Sequence, residues 1–448
     1  MKKSVSIILA VVFLLTLVIA GCSRDSGKQS DSTTPADSGQ QTGQGSTGEQ
    51  DTETAAEDKA KEIQPEEGAK LVLWESGGVI GEWAKYVAEE FTKRYGIPVV
   101  YEHVENSDAP HKMKTDGPAG VGADVFAAPH DHLGGMVSAG LILENFFAEE
   151  YIDNYLDAAI TGTTMNGVLY GYPTAIETYA LFYNKDLVEK LPETWEELIE
   201  QAKSFTDIDK NMYGFMMEPA NFYYVYSFIG GYGGYVFGDN NTNPNDIGLN
   251  SEGAIKGCNF LRRIREEILP LKSGDITYDV KEGLFKEGRV LFNMNGPWAV
   301  GDYRQAGLNF GVMPLPLLDN GTHPTSFSGI RAFYVNAYTK YPNAASLLAK
   351  FASSEEMQKK FYEMAGMVPV HKNLLEDPDI KGNEITSAFM EQAKYSVPMP
   401  NIPQMQLVWS PMSSALAVIW DGQLEVKEAL DAAVEQLKSA IASQGVAE

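Results

Sequence analysis

The feature that most constrains the fold is an alternation of strand and helix signals that begins at "KLVLW" (Lys70–Trp74). That continuous apolar run reads as a buried strand. Ile80, Trp83, Val87 and Phe91 then recur at helical spacing, so the pattern predicts an amphipathic helix over 80–95. "IPVVYEHV" and "ADVFAA" (Ala123–Ala128) read as further strands, and "HLGGMVSAGLI" opens another helix. Strands separated by helices argue for a parallel sheet with helices on its faces, an α/β fold. "LPETWEELIEQAKSF" is a well-signalled helix: Thr194 and Glu197 form a capping box, and Trp195, Leu198 and Ala202 share one face. "NSEGAIKGCNFLRRIREEIL", "EMQKKFYEMAGM" and "LEVKEALDAAVEQLKSAIA" also read as helices.

This ordered pattern starts only near Ala69 of a 448-residue chain. Before it, Lys2 and Lys3 precede an apolar stretch (Val5–Ala20) that is shorter than the ~20 residues of a spanning helix. The stretch ends in Ile19-Ala20-Gly21-Cys22, which resembles the lipobox of bacterial lipoproteins. The resemblance implies cleavage after residue 21, a lipid on Cys22 and an extracytoplasmic, membrane-anchored protein; the alternative is an ordinary signal peptide with a chance cysteine. Ser23 to Glu62 contains no Leu, Ile, Val, Met, Phe, Tyr or Trp and has nothing to bury, so a disordered acidic linker is expected over 22–68. A flexible coil of about 45 residues reaches roughly 35–40 Å end to end, enough to act as a tether.

Composition excludes several classes. Lys and Arg number 35 against 61 Asp and Glu, a net charge of −26, which disfavours nucleic acid and anionic lipid surfaces. Two cysteines, Cys22 and Cys258, cannot build a disulfide framework, and Cys258 sits in a helical pattern as an expected buried thiol. G-x-S-x-G, H-E-x-x-H, C-x-x-C, a Walker loop and a strand-linked G-x-G-x-x-G are all absent, so no cofactor is expected. His130-Asp131-His132 could offer two metal ligands, but no third partner is evident and no metal site is expected. Asp131 suits either a hydroxyl acceptor at a helix start or a plain N-cap.

Polar and aromatic groups cluster at element ends, where α/β proteins bind ligands. These are "ADVFAAPHDH", "YGYPTAIETYALFYNKDL" with Glu177, "LFNMNGPW" with Trp298, and "PMPNIPQMQLVW" with Trp409. Carboxylates beside aromatic rings suit carbohydrate. Sugar C–H faces pack on rigid rings, and sugar hydroxyls donate to carboxylates in charge-assisted bonds. Paired carboxylates in a groove also suit a glycosidase. Trp83 and Trp195 lie on apolar helix faces and belong to the core; Trp74 ends a buried strand, at most flooring a site. Trp298 and Trp409 follow turn chemistry and are the better ligand candidates.

In order along the chain, "KLVLW", "GADVFAAPHDHLGG", "YGYPTAIETYALFYNKDL", "PETWEEL", "FKEGRVLFNMNGPW", "YVNAYTKYPNAASLLAKF", "GMVPVHK" and "MPNIPQM" followed by Trp409 resemble the maltose/maltodextrin-binding proteins of bacterial ABC importers. The resemblance implies two discontinuous lobes, 69–175 with 333–380 and 180–327 with 385–448, and a sugar cleft at the hinge. It implies a monomer that is not an enzyme and that hands an α-glucan to permease subunits. Another oligosaccharide, including a cyclic or branched glucan, or a cell-surface glycosidase are the alternatives.

Carried over by position, Asp131, Glu177 and Glu218 match hydroxyl-accepting carboxylates, and Trp298 and Trp409 match aromatic platforms. Phe222 or Tyr223 takes a further platform role, the register being open. Glu75 lies near the first-lobe rim, and Arg331, at a hinge crossing, is either a polar ligand contact or a surface ion pair. The chain departs from the best-studied maltose binders at Ala128 (their Trp), His132 (their Arg), Ser410 (an aromatic) and Gly78-Val79 (an Asp-Lys pair), which implies opened space on the first-lobe side.

Overall fold

The computed structural model describes residues 63–444. The lipobox, Cys22 and most of the expected linker lie outside the described residues. The first elements fall where the periodicity puts them: strand Leu71–Glu75, helix Gly78–Tyr95, strand Val99–His103 and strand Val125–Pro129. The helix buries Ile80, Trp83, Val87 and Phe91 against the sheet, as their spacing requires. Helix Trp195–Phe205 starts at Thr194, whose hydroxyl accepts from the Glu197 backbone N–H. Trp195, Leu198 and Ala202 are fully buried on its inner face.

Two sheets organise the described residues. The larger has seven strands, and its main path runs Val368–Pro369, Tyr172–Thr178, Phe327–Val335, Val125–Pro129, Leu71–Glu75, Val99–His103. Val397–Pro398 pairs with the start of Phe327–Val335. The smaller has four: Phe310–Met313, Ala180–Asn184, Val290–Asn295 and Tyr213–Met216.

Neither sheet is purely parallel, which corrects the reading from alternation alone. Leu71–Glu75 is parallel to both of its neighbours, but Phe327–Val335 runs antiparallel between Val125–Pro129 and Tyr172–Thr178. It arrives from a distant part of the chain, after the four strands of the smaller sheet, and slots in against the local direction. In this sheet, single helices connect only Leu71–Glu75 to Val99–His103 and Val99–His103 to Val125–Pro129, so the rule for parallel units covers those strands and not the antiparallel contacts of Phe327–Val335.

The two sheets carry separate cores. One core joins Trp195, Phe215, Phe228, Phe260, Phe292 and Trp420 around the smaller sheet. Another joins Trp83, Phe91, Tyr172, Phe333, Leu348 and Phe361 around the larger. Both gather segments remote in sequence, which makes a two-lobed protein with discontinuous lobes. The chain passes from the larger sheet to the smaller across one residue: Tyr172–Thr178 ends, Tyr179 intervenes, and Ala180–Asn184 begins.

Candidate functional site

A cavity of about 810 Å³ lies between the lobes. Asp131, Glu177, Glu218, Trp298, Trp409 and Arg331 all line it, as do His132 and Tyr223. The sequence therefore gathers eight of its ten candidate residues at one place.

The turn that carries Trp298 is built by its neighbours. Strand Val290–Asn295 ends at Asn295, whose side-chain oxygen accepts from the Gly296 N–H at 2.9 Å. Asn295 Nδ2 donates to Glu282 Oε1 (2.7 Å) and Tyr303 Oη (3.0 Å), anchoring the turn in the buried core. Pro297 starts a single 3-10 turn, and the indole folds back over Gly296. A Cβ at position 296 would stand 2.2 Å from the Trp298 ring, so only glycine permits this ring position. Asn-Gly-Pro-Trp is thus a device for presenting an indole, half-buried, at the mouth of a strand.

Trp409 opens helix Trp409–Trp420, and its Nε1 donates to Asp131 Oδ2 at 3.2 Å. Asp131 lies in the one-turn 3-10 helix His130–His132 directly after strand Val125–Pro129. The flanking histidines divide their work. His130 is buried, accepts from the Ile330 N–H through Nδ1 (3.0 Å), and therefore donates from Nε2 to the Met399 carbonyl (3.1 Å). Burial holds its pKa below the ordinary value, so it stays neutral. His132 faces the cavity, packs edge-on to His111 and is likewise depressed by burial. Among the described residues, no group of three or more His, Cys, Asp or Glu is arranged to hold a metal ion.

Of its two readings, Arg331 is not the surface ion pair. It is buried, not at the surface, and it pairs with two carboxylates while still touching the cavity. Its Nη1 donates to Glu177 Oε1 at 3.1 Å, its Nε to Glu75 Oε2 at 3.3 Å, and its Nη2 to Glu75 Oε1 and to Ser76 Oγ. Burial raises the Glu177 pKa, and Arg331 opposes the rise. Burial works against the guanidinium charge too, but Glu75 and Glu177 outweigh it and hold Arg331 firmly protonated. Glu218 is raised by burial, with Lys281 opposing, and its Oε2 is buried with no hydrogen-bond partner.

Two candidates are corrected. Glu75 does not line the cavity; its carboxylate turns inward to Arg331 and to the Ser76 N–H (2.6 Å), because a strand residue facing the buried guanidinium is held there by charge. Phe222 is buried against Phe327 and Trp409, while Tyr223 reaches the cavity. The reason is the cap: Asn221 accepts from the Tyr223 N–H and starts helix Phe222–Gly231, so the two rings point to different sides.

Of the four departures behind the expected opening, His132 and Gly78-Val79 line the cavity and two do not. Ala128 is fully buried in the sheet core, Ser410 is exposed, and neither lines the cavity.

Several lining residues were not singled out from sequence: Tyr224, Tyr278, Asp279, Asp302, Gln406 and the His103–His111 rim. The rim follows the strand "VVYEH", so the rule that picked Asp131 at a strand end could have picked it. Asp302 is four residues after Trp298, one helical turn on.

A two-lobed α/β fold with rings and carboxylates facing an interlobe cavity defines a solute-binding protein. The chain belongs to the bacterial extracellular solute-binding protein family, whose model matches residues 86–388. A galactooligosaccharide-binding protein of Bacillus subtilis is 37% identical over 84% of this chain and 90% of its own length. A maltodextrin-binding protein of the same organism is 30% identical over 86% of this chain and 94% of its own length. Among solved structures, a cyclo/maltodextrin-binding protein complexed with maltotetraose is 40% identical, with a TM-score of 0.69 over 83% of this chain and 97% of that one.

Proposed function

We propose that this protein captures maltodextrin-type α-glucans in the interlobe cavity and delivers them to the permease subunits of an ABC sugar importer. The observation that carries this reading is the meeting, around one cavity, of the Trp298 and Trp409 rings with the Asp131, Glu177 and Glu218 carboxylates. The rings stack on glucose faces and the carboxylates accept hydrogen bonds from the sugar hydroxyls. In this reading Trp298, Trp409 and Tyr223 are platforms, His132 is a polar contact, Arg331 is a polar contact on the floor beside Glu177, and Glu75 acts through Arg331. The lobes are 69–175 with 333–380 and 180–327 with 385–448. The protein is monomeric, held outside the membrane by a lipid on Cys22, and performs no catalysis.

A thermal-shift series over mono- and oligosaccharides tests the function. A ligand present at 100 times its Kd adds about 2.7 kcal/mol of stability. Maltodextrins should shift the transition, and incubation with them should release no new reducing ends. Turnover would establish a glycosidase instead. The galactooligosaccharide-binding relative favours one second reading, a galactose-containing oligosaccharide, and a larger shift with that series than with maltodextrins would select it.

A further inference from the structure

Lysine is costly to bury, yet Lys281 is fully buried, and Glu282 beside it is buried too. Both lie on helix Tyr278–Lys286, which starts at Thr277, whose hydroxyl accepts from the Val280 N–H at 3.3 Å. Lys281 Nζ donates to Glu282 Oε1 at 3.1 Å and to the Met294 carbonyl at 3.2 Å. The same Glu282 oxygen accepts from Asn293 Nδ2 at 3.3 Å and from Asn295 Nδ2 at 2.7 Å. This clamp ties the helix to Asn293, Met294 and Asn295, the end of the strand that presents Trp298. Two aromatic rings also meet the ammonium: Nζ stands 5.5 Å from the Tyr224 ring centre and 5.1 Å from the Tyr278 ring centre. Tyr224 returns to the turn through its hydroxyl, which donates to Asn295 Oδ1 at 3.3 Å. Tyr224, Tyr278 and Trp298 line the cavity, whereas Lys281 does not and reaches it only through these partners.

We propose that Lys281 is a positioning residue of the cleft: its buried ammonium fixes the turn that carries Trp298, and the Tyr224 and Tyr278 rings, for contact with the sugar. The assignment rests on the sugar-binding function proposed above. An apolar pair of similar size often packs as stably as a buried ion pair. What it cannot do is hold a strand-end carbonyl, two asparagine amides and two rings at set positions around one charge.

The test compares full-length Lys281→Met with the unmodified protein in two measurements. The first is made without sugar. Trp298 emission, taken as the difference between each protein and its Trp298→Phe partner, should move to longer wavelength in Lys281→Met as the turn loosens. The second is maltotetraose affinity by calorimetry below the unfolding transition, which should weaken about tenfold, as for residues coupled in one network. Leu261→Ala is the control: it opens a cavity in the core of the same lobe and should lower Tm while leaving both readouts unchanged. A Lys281 with a merely structural role would behave in the same way. Unchanged Trp298 emission, affinity within about twofold of the unmodified protein, or equal losses in Leu261→Ala overturns the assignment. If Lys281→Met does not fold, Lys281→Met/Glu282→Gln, which removes both buried charges together, is held to the same criteria. If the unmodified protein binds no maltotetraose, the proposed function fails, while the emission measurement still decides whether Lys281 holds the Trp298 turn.

Discussion

Replacing Arg331 by Met removes a buried cation and leaves two buried carboxylates facing each other. Arg331, Glu75 and Glu177 are 3%, 1% and 7% exposed, so water cannot screen the loss. Four side-chain donations disappear: two to Glu75, one to Glu177 and one to Ser76. Removing one partner of a buried ion pair costs about 3–5 kcal/mol. For roughly 380 folded residues the entropy of unfolding makes that about 4–6 °C in Tm. The loss should depend on pH in a known sense. Burial already raises the Glu177 pKa against the pull of Arg331, and Glu75 adds to the rise. Without Arg331 the native state binds more protons than the unfolded chain, from the ordinary carboxylate pKa up to the raised folded one. Stability in that window therefore increases as pH falls. Thermal unfolding of Arg331→Met and the unmodified protein at pH 7.5 and pH 5 checks this: the deficit should be large at the first and smaller at the second. Arg331→Lys should recover only part of it, since one ammonium cannot make the forked contacts of a guanidinium. A deficit under about 1 kcal/mol at pH 7.5, or one equal at both pH values, would refute the reasoning.

Four further outcomes are expected. Trp298→Ala should weaken maltodextrin binding by about 1–3 kcal/mol, read by calorimetry; unchanged affinity in a folded variant removes the ring from the site. Gly134→Ala should lower Tm, because its Cβ would stand 2.5 Å from the Asn401 oxygen and from the Pro403 nitrogen, backbone atoms that cannot swing aside. The buried Cys258 thiol, pushed up to about 12, should resist alkylation in the native protein at pH 8 and react on denaturation, as mass spectrometry would report. Cys22→Ser should move the protein from the membrane to the soluble fraction, and retention on membranes would discount the lipid anchor.

Helices were the most legible part of the sequence because their determinants are local. Thr194 and the burial of Trp195, Leu198 and Ala202 follow from a cap and a period. Strand direction was not legible. Arg331 pairs with Pro129 on one side and Ala175 on the other, and nothing in the residues around 331 records partners so far away. At the site, Trp298 and Trp409 were found because turn residues set them off from the apolar helix faces that bury Trp83 and Trp195. The register of Phe222 and Tyr223 was in principle readable, since Asn221 is a strong cap and its placement decides which ring turns inward. Gln406 and Asp302 were out of reach, because their significance lies in the groups brought opposite them. Gln406 bonds to a residue 275 positions away, and Asp302 accepts from the Val79 N–H across the cleft.

The single-residue passage at Tyr179 has a mechanical consequence. Tyr179 is fully buried, and the strands on either side of it belong to different sheets. If one lobe rotates against the other, each atom travels in proportion to its distance from the pivot. Glu177, two residues from the passage, has almost no lever arm, and its tie to Arg331 keeps both in place. Asn295, the last residue of the strand that presents Trp298, pairs with Ala180 beside the same passage, so the Trp298 turn also starts close to the pivot. The cavity thus has a floor assembled at the pivot from both sheets. A ligand that reaches that floor meets Glu177 and the Trp298 turn with little rearrangement between them.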